Sequence, residues 1–122
     1  FGDHLHPAIH WWRAHGGLQE VPEEWVLNAR AAYWALVAAM DGMIGRLLTA
    51  LRENDLADNT LVVYSSDHGE LVGEHDLWMK RTFYEESVKV PAIVSWPGVL
   101  PAGTRCDRVM SALDLTPPCS KP

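Results

Sequence analysis

The feature that most constrains the fold is one long amphipathic segment, from Pro22 to about Asn54. Pro22 and the two glutamates after it are typical of a helix start, because proline needs no N–H donor there and acidic side chains suit the positive end of the helix dipole. Apolar residues then recur at steps of three and four, which predicts an amphipathic helix over 22–54. They are Trp25, Ala29, Ala32, Tyr33, Leu36, Met40, Ile44, Leu47, Leu48 and Leu51.

The rest of the chain predicts shorter elements around this helix. The run Thr60 to Ser66 is rich in β-branched residues and predicts a buried strand over 60–66. We expect a loop over 1–21, a polar loop over 67–80, one or two helical turns over 82–87, and a second strand over 88–96. Open α/β sheets bind ligands beyond the carboxyl ends of their strands, so an α/β fold with a site at Asp67-His68 is predicted.

Composition narrows the class of protein. With 48% hydrophobic and 21% charged residues, the 122-residue chain is predicted to be globular, with one modest core burying about two-thirds of its surface. Sixteen acidic residues against ten Lys and Arg give a net charge of -6, the wrong sign for binding nucleic acid. No uninterrupted apolar run is long enough to span a membrane, so no span is expected. Cys106 and Cys119 form no C-x-x-C motif and indicate neither a disulfide scaffold nor a redox site.

The acidic residues are unevenly placed. From Glu53 to Met79 there are seven of them and no Lys or Arg, which fits either a solvated face or a cation site. Asp67 offers carboxylate oxygens and His68 a ring nitrogen to the same ion, and the ammonium of Lys80 could meet a tetrahedral anion held there. The alternative is that Asp67 caps a turn, His68 is a satisfied polar residue and Lys80 is solvated. No common zinc spacing is present, and neighbouring Ser66, Asp67 and His68 cannot converge as a hydrolytic triad.

The sequence from Ser65 to Lys80 forms a longer motif that is similar to a known protein family. Ser65 to Lys80 reads S-S-D-H-G-E-L-V-G-E-H-D-L-W-M-K, and Tyr84-Glu85-Glu86-Ser87 and Val90-Pro91 follow. This pattern resembles the type I sulfatases of the alkaline-phosphatase-like superfamily. The resemblance runs from about Pro22 to Pro117. Ahead of it, His6-Pro7 and Trp11-Trp12 are similar to the corresponding stretch of the arylsulfatase K branch.

The resemblance implies a fold and a set of roles. The fold would be part of a three-layer α/β/α sheet domain, with 1–122 as a single, incomplete domain. Asp67 and His68 would be the second pair of ligands to a divalent cation, Ca²⁺ or Mg²⁺, and Lys80 would be the catalytic lysine that contacts the substrate sulfate. His75 would either touch substrate or make a structural hydrogen bond. The partner would be a sulfated small molecule or a sulfated sugar.

The sequence also departs from the family pattern. Family members make a formylglycine nucleophile in a Cys/Ser-x-Pro-x-Arg motif and carry an Asp-Asp metal pair near the amino end, and neither occurs here. We therefore expect an internal piece of a sulfatase, inactive alone, with the formylglycine in a missing N-terminal part. A phosphonate monoester or phosphodiester hydrolase of the same superfamily, and a non-catalytic remnant or binding module, remain alternatives. The sequence indicates neither the compartment nor the oligomeric state.

Overall fold

The computed structural model describes residues 6–16 and 21–115. Two helices come first, α1 over Pro7–His15 and α2 over Glu23–Glu53. Strand β1, Val62–Ser65, a single helical turn α3, Glu85–Val88, and strand β2, Ala92–Ser95, follow. Three short 3₁₀ turns lie at Ala57–Asn59, Glu74–Asp76 and Ala112–Leu115.

Helix α2 agrees with the predicted helix over 22–54. Pro22 is its N-cap, with φ -56°, and Glu23 and Glu24 occupy the first turn. Asn54 ends the helix, where both its backbone N–H and its side-chain amide donate to the carbonyl of Ala50. These terminal hydrogen bonds satisfy a carbonyl group that the helix leaves unpaired.

The predicted loop over 1–21 is wrong for residues 7–15, which form α1. Pro7 stands at the first helical position, and the His6 ring nitrogen Nδ1 accepts the Ala8 N–H at 3.2 Å, which caps the helix start. The rings of Trp11 and His15, one turn apart, stack at 4.3 Å. The helix was missed because its aromatic residues and histidines show no helical periodicity, although the capping residues His6 and Pro7 are present. Residues 1–5 and 17–20 of that predicted loop lie outside the described residues.

The two strands form an antiparallel pair. Val62 lies opposite Ser95 and Ser65 opposite Ala92. Strand β2 begins directly after Pro91, which lacks the N–H donor that a paired strand needs. The predicted burial of β1 is wrong: Val63 is 46% exposed, because one partner strand and one helix cover only part of it. This mixed α/β arrangement is consistent with the expected sheet domain, but a two-stranded sheet does not by itself show three layers.

The expected single core is small. Among the described residues only Leu71, Leu77 and Ser87 are buried, and all lie in or beside the loop 67–80. The accessible surface is 10364 Å², against about 6,600 Å² for a compact chain of this mass. Large apolar side chains of α2, such as Trp34 and Leu36, are among the exposed ones. The structural core of this segment is therefore the loop 67–80 and not the regular elements.

Helix α2 also has the length and composition of a membrane helix. An 18-residue window within it has a mean hydropathy of 1.4. This is weak evidence for a span, because core helices of soluble proteins pass the same test. Asp41 and Arg46 interrupt the apolar sequence of the helix, and side chains such as Leu36 and Ile44 line a groove between the helix and the strands. The expected absence of a span remains a prediction.

Candidate functional site

The loop 67–80 folds back on itself around two leucines. Leu71 and Leu77 are 1% and 3% exposed. The Gly73 N–H donates to the Leu77 carbonyl at 2.9 Å, and the Leu71 N–H donates to the Met79 carbonyl at 3.1 Å. Glu74 N–H in turn donates to the Leu71 carbonyl at 2.8 Å. The loop is thus a compact hydrogen-bonded unit, although half of its residues are polar or charged.

Its backbone is unusual at several positions. Val72, His75, Asp76 and Met79 all have left-handed φ values, of 45°, 57°, 54° and 69°. Side chains with a Cβ adopt this region rarely, and a β-branched residue such as Val72 is disfavoured there most strongly. Such strain persists only where surrounding contacts hold it, and it concentrates at functional sites.

Arg30 of α2 is one of those contacts. Its Nε donates to the Val72 carbonyl at 2.8 Å, and its Nη2 pairs with Glu74 Oε1 at 2.7 Å. The guanidinium therefore holds both the backbone and a side chain of the strained turn. Gly73 lies against the same helix, since a Cβ there would stand 2.9 Å from Val26 Cγ1.

Arg13 of α1 is the second contact. Its Nη2 donates to the His75 carbonyl and pairs with Asp76 Oδ2 at 3.1 Å. The Arg13 side chain is only 16% exposed, so it is fixed between α1 and the loop. The two arginines come from separate helices and hold adjacent parts of one turn.

Gly69 joins the loop to α3 through the backbone. Its N–H donates to the Ser87 carbonyl at 2.8 Å. A Cβ at this position would stand 1.9 Å from the Glu86 carbonyl oxygen, which no real contact allows. Only glycine permits this approach, and it fixes the backbone directly after His68.

Asp67 and His68 lie side by side, as the sequence predicts. His68 Nε2 is 3.4 Å from Asp67 Oδ2, and the Asp67 side chain is 82% exposed. His68 Nδ1 lies 2.8 Å from the Gly69 carbonyl, so Nδ1 carries the hydrogen and the Nε2 lone pair is free of it. Ser66 Oγ donates to the His68 carbonyl at 2.8 Å and steadies the same residue.

These two side chains fit a divalent cation. The 3.4 Å between His68 Nε2 and Asp67 Oδ2 would let both atoms reach one ion, and carboxylate oxygen is the ligand type that Ca²⁺ and Mg²⁺ prefer. Residues 6–16 and 21–115 contain no cluster of three or more His, Cys, Asp or Glu side chains that could hold a metal. The described residues therefore offer two ligands, and the rest of a coordination shell would come from elsewhere.

Lys80 and His75 lie in other parts of the same loop. Lys80 is exposed, and within the described part of the chain it makes no ion pair or hydrogen bond. Glu70 Oε1 accepts the Met79 N–H at 2.5 Å, which fixes the backbone just before Lys80. The His75 ring stacks on Tyr84 at 3.9 Å, with Nε2 3.5 Å from Glu86 Oε2. Among the described residues, no hydrogen bond or ion pair joins Lys80 to the Asp67–His68 pair.

Sequence reasoning missed Arg13 and Arg30. The one signal in the sequence was the charge imbalance of the stretch 53–79, with seven acidic residues and no Lys or Arg, which does not indicate which cations of other segments pair with it. Glu70 accepts a hydrogen bond from the Met79 N–H within the loop, and Glu74 accepts one from Arg30 of α2. Cys106 is an exposed free thiol, and Cys119 lies outside the described residues.

Several known proteins are similar to this chain in sequence. The family model of the sulfatases matches residues 6–120. Arylsulfatase K from Homo sapiens is 42% identical over 92 residues, which cover 75% of this chain and 17% of that protein. Arylsulfatase K from Canis lupus familiaris is 41% identical over a stretch of the same length. Choline-sulfatase from Rhizobium meliloti (strain 1021) is 39% identical over 98 residues, or 80% of this chain and 19% of that protein.

The chain spans less than a fifth of the length of these curated relatives. The match nevertheless covers nearly the whole of this sequence and includes α1, α2, the loop 67–80 and both strands. The side chains that the sequence pattern singled out lie in that matched region. The chain belongs to the sulfatase family.

Proposed function

We propose that this chain is the part of a sulfate ester hydrolase that supplies two ligands of a divalent cation, Asp67 and His68, and a sulfate-binding lysine, Lys80. The observation that carries the proposal is the Asp67–His68 pair. The two atoms that would bind the ion, His68 Nε2 and Asp67 Oδ2, are 3.4 Å apart, and the contact of His68 Nδ1 with the Gly69 carbonyl holds the ring in this position. Family membership supports the same assignment.

The proposed roles of the bound cation and of Lys80 follow from their positive charge. A sulfate ester is a tetrahedral anion whose oxygens gain charge as the sulfur is attacked and the alcohol leaves. A bound cation, Ca²⁺ or Mg²⁺, supplies positive charge on one side of that group. Lys80 supplies a second positive charge as a compact ammonium, and the absence of an ion pair in the described residues leaves it available.

His75 is proposed as a contact to substrate or leaving group. The stack on Tyr84 and the neighbouring Glu86 fix its ring orientation. Glu70 acts as a positioning residue, because it holds the Met79 backbone and so the start of the Lys80 side chain. The formylglycine nucleophile is proposed to lie in a part of the protein outside these 122 residues. The isolated chain is then expected to bind Ca²⁺ weakly and to hydrolyse no sulfate ester.

The test uses the full-length protein that contains this chain. Lys80→Ala and Asp67→Ala should each lower kcat/KM for 4-nitrophenyl sulfate by at least about a hundredfold, because each removes charge that acts on the transition state. Lys89→Ala and Asp107→Ala are matched controls. Both residues are exposed and form ion pairs away from the loop, and their variants should retain activity.

Two results would contradict the proposal. Unchanged turnover in Lys80→Ala would remove the lysine from the site. Hydrolysis of a phenyl phosphonate monoester, with no hydrolysis of aryl sulfate, would favour the phosphonate hydrolase alternative.

A further inference from the structure

Helix α1 holds the middle of the loop 67–80 through Arg13. Its Nη2 donates to the His75 carbonyl, which belongs to the peptide between His75 and Asp76. Both of those residues have left-handed φ values, 57° and 54°, a region that side chains with a Cβ adopt rarely. The Asp76 side chain is 69% exposed, so its ion pair with Arg13 is weak. The hydrogen bond to the backbone is therefore the contact that holds this part of the loop.

The neighbouring residue of α1, Trp12, holds the chain at the end of the loop. The Arg81 guanidinium lies 4.5 Å from the centre of the Trp12 ring, in a cation–π contact. Arg81 follows Lys80 directly in the chain. On the other side of Lys80, both the N–H and the carbonyl of Met79 are hydrogen-bonded within the loop. The backbone of Lys80 is thus held from both sides, by the loop itself and by α1.

The position of this backbone matters because the Lys80 ammonium is a point charge on a flexible stem. Within the described part of the chain the ammonium makes no ion pair or hydrogen bond that would orient it. Its reach toward a sulfate is then set by where the backbone places the side chain. A displacement of about 1 Å can lower the rate of a reaction about a hundredfold.

We infer that Trp12 and Arg13 of α1 are positioning residues for sulfate ester hydrolysis, and that both act through Lys80. Arg13 holds the strained peptide at 75–76, and Trp12 holds the residue after Lys80. The inference rests on the proposed function and adds a second helix to the residues that the reaction needs.

The experiment measures whether these two residues act through Lys80 in the full-length protein. Arg13→Ala and Trp12→Ala should each lower kcat/KM for 4-nitrophenyl sulfate by at least about tenfold. When Lys80 is already alanine, the same two changes should lower kcat/KM by less than about twofold, because the group that they position is gone. A purely structural role would give equal losses with and without Lys80.

Matched variants separate this role from a loss of folding. Arg13→Lys keeps a donor for the carbonyl and should restore part of the activity. Asp76→Asn removes the charge of the ion pair but leaves the backbone hydrogen bond, so it should retain most of it. Arg105→Ala and Trp11→Ala are the controls and should retain activity, since both residues are exposed. If Arg13→Ala does not fold, Arg13→Lys and Trp12→Ala carry the comparison.

Hydrogen exchange keeps the inference and the proposed function distinguishable. The Leu71 N–H donates to the Met79 carbonyl, so its exchange reports on the backbone just before Lys80 without any turnover. We expect at least about tenfold faster exchange at Leu71 in Arg13→Ala and in Trp12→Ala. If exchange is faster but Lys80→Ala is fully active, the positioning of Lys80 by α1 stands and the proposed function fails. Unchanged exchange, or equal losses of activity with and without Lys80, would overturn the inference.

Discussion

The loop 67–80 is better packed than the helix α2 and the two strands, although regular elements usually form the core of a domain. The loop is half polar and contains strained backbone, yet it holds two of the three residues that are buried among those described, and it is tied to α1, α2 and α3. Helix α2 and the two strands are regular and apolar, yet large side chains such as Leu36 and Ile93 are exposed. Order in the candidate site thus comes from hydrogen bonds within this segment, whereas the apolar elements lack their packing partners.

The groove between α2 and the strands is where the apolar side chains of the regular elements are exposed. It encloses about 620 Å³ and is lined by apolar side chains of α2, β1 and β2. Examples are Leu36, Met40, Ile44, Tyr64 and Ile93. Exposed apolar surface of this extent marks an interaction site. Since the chain spans 17% of its arylsulfatase K relatives, we expect other parts of the full-length protein to cover this face.

Gly69→Ala should have the largest effect, because it disrupts the ordered loop 67–80. The added Cβ would meet the Glu86 carbonyl at 1.9 Å, so the backbone of the loop and α3 must separate. We expect a loss of about 3 kcal/mol or more in the free energy of unfolding, measured by denaturant titration of the full-length protein.

Gly45→Ala is the matched control for that change. Nothing lies within 4 Å of a Cβ at Gly45, so in the isolated chain this variant should be more stable by about 0.5 to 1 kcal/mol. In the full-length protein the same change should be less favourable if a neighbour packs on α2. Equal effects of the two alanines would contradict the account of the loop.

Arg30→Ala tests how the loop is held. It removes the donors to the Val72 carbonyl and Glu74, at a cost of about 1 to 2 kcal/mol after allowance for partial exposure. Hydrogen exchange at the amides of Leu71 and Gly73 should become faster. Arg46→Ala on the same helix, where the described residues give Arg46 no hydrogen bond or ion pair, should leave that exchange unchanged. Unchanged protection in Arg30→Ala would remove the arginine from the loop's support.

Leu36→Gln tests whether the apolar side of α2 is covered in the full-length protein. Of these changes, it should have the smallest effect on the stability of the isolated chain. Leu36 is 70% exposed there, so the free energy of unfolding should change by less than about 0.5 kcal/mol. In the full-length protein the loss should reach about 2 kcal/mol or more, if the face is covered. A small effect in both would show that α2 is exposed in the intact protein as well.

The sequence predicted the elements that depend on local signals. The periodic spacing and the Pro22 start placed α2 nearly to the residue, and the β-branched run placed β1. The helix α1 was missed because its capping by His6 and Pro7 lies among residues with no clear period. Burial of β1 was overestimated, because burial depends on packing neighbours, which a short run of β-branched residues does not reveal.

The candidate site was predictable in part. Adjacent positions made the pairing of Asp67 with His68 foreseeable, and family likeness singled out Lys80 and His75. The long-range contacts of Arg13 and Arg30, which link residues more than 40 positions apart, have no local signature. The same holds for the close approach of Gly69 to α3, which the sequence shows only as one more glycine in a loop.

A crystal structure of the full-length protein with Ca²⁺ and sulfate tests the central claim most directly. We predict one calcium ion bound by Asp67 Oδ and His68 Nε2 at about 2.3 to 2.6 Å, with Lys80 Nζ hydrogen-bonded to a sulfate at the same site. A calcium ion bound elsewhere, with Asp67 still paired to His68 at the surface, would contradict it.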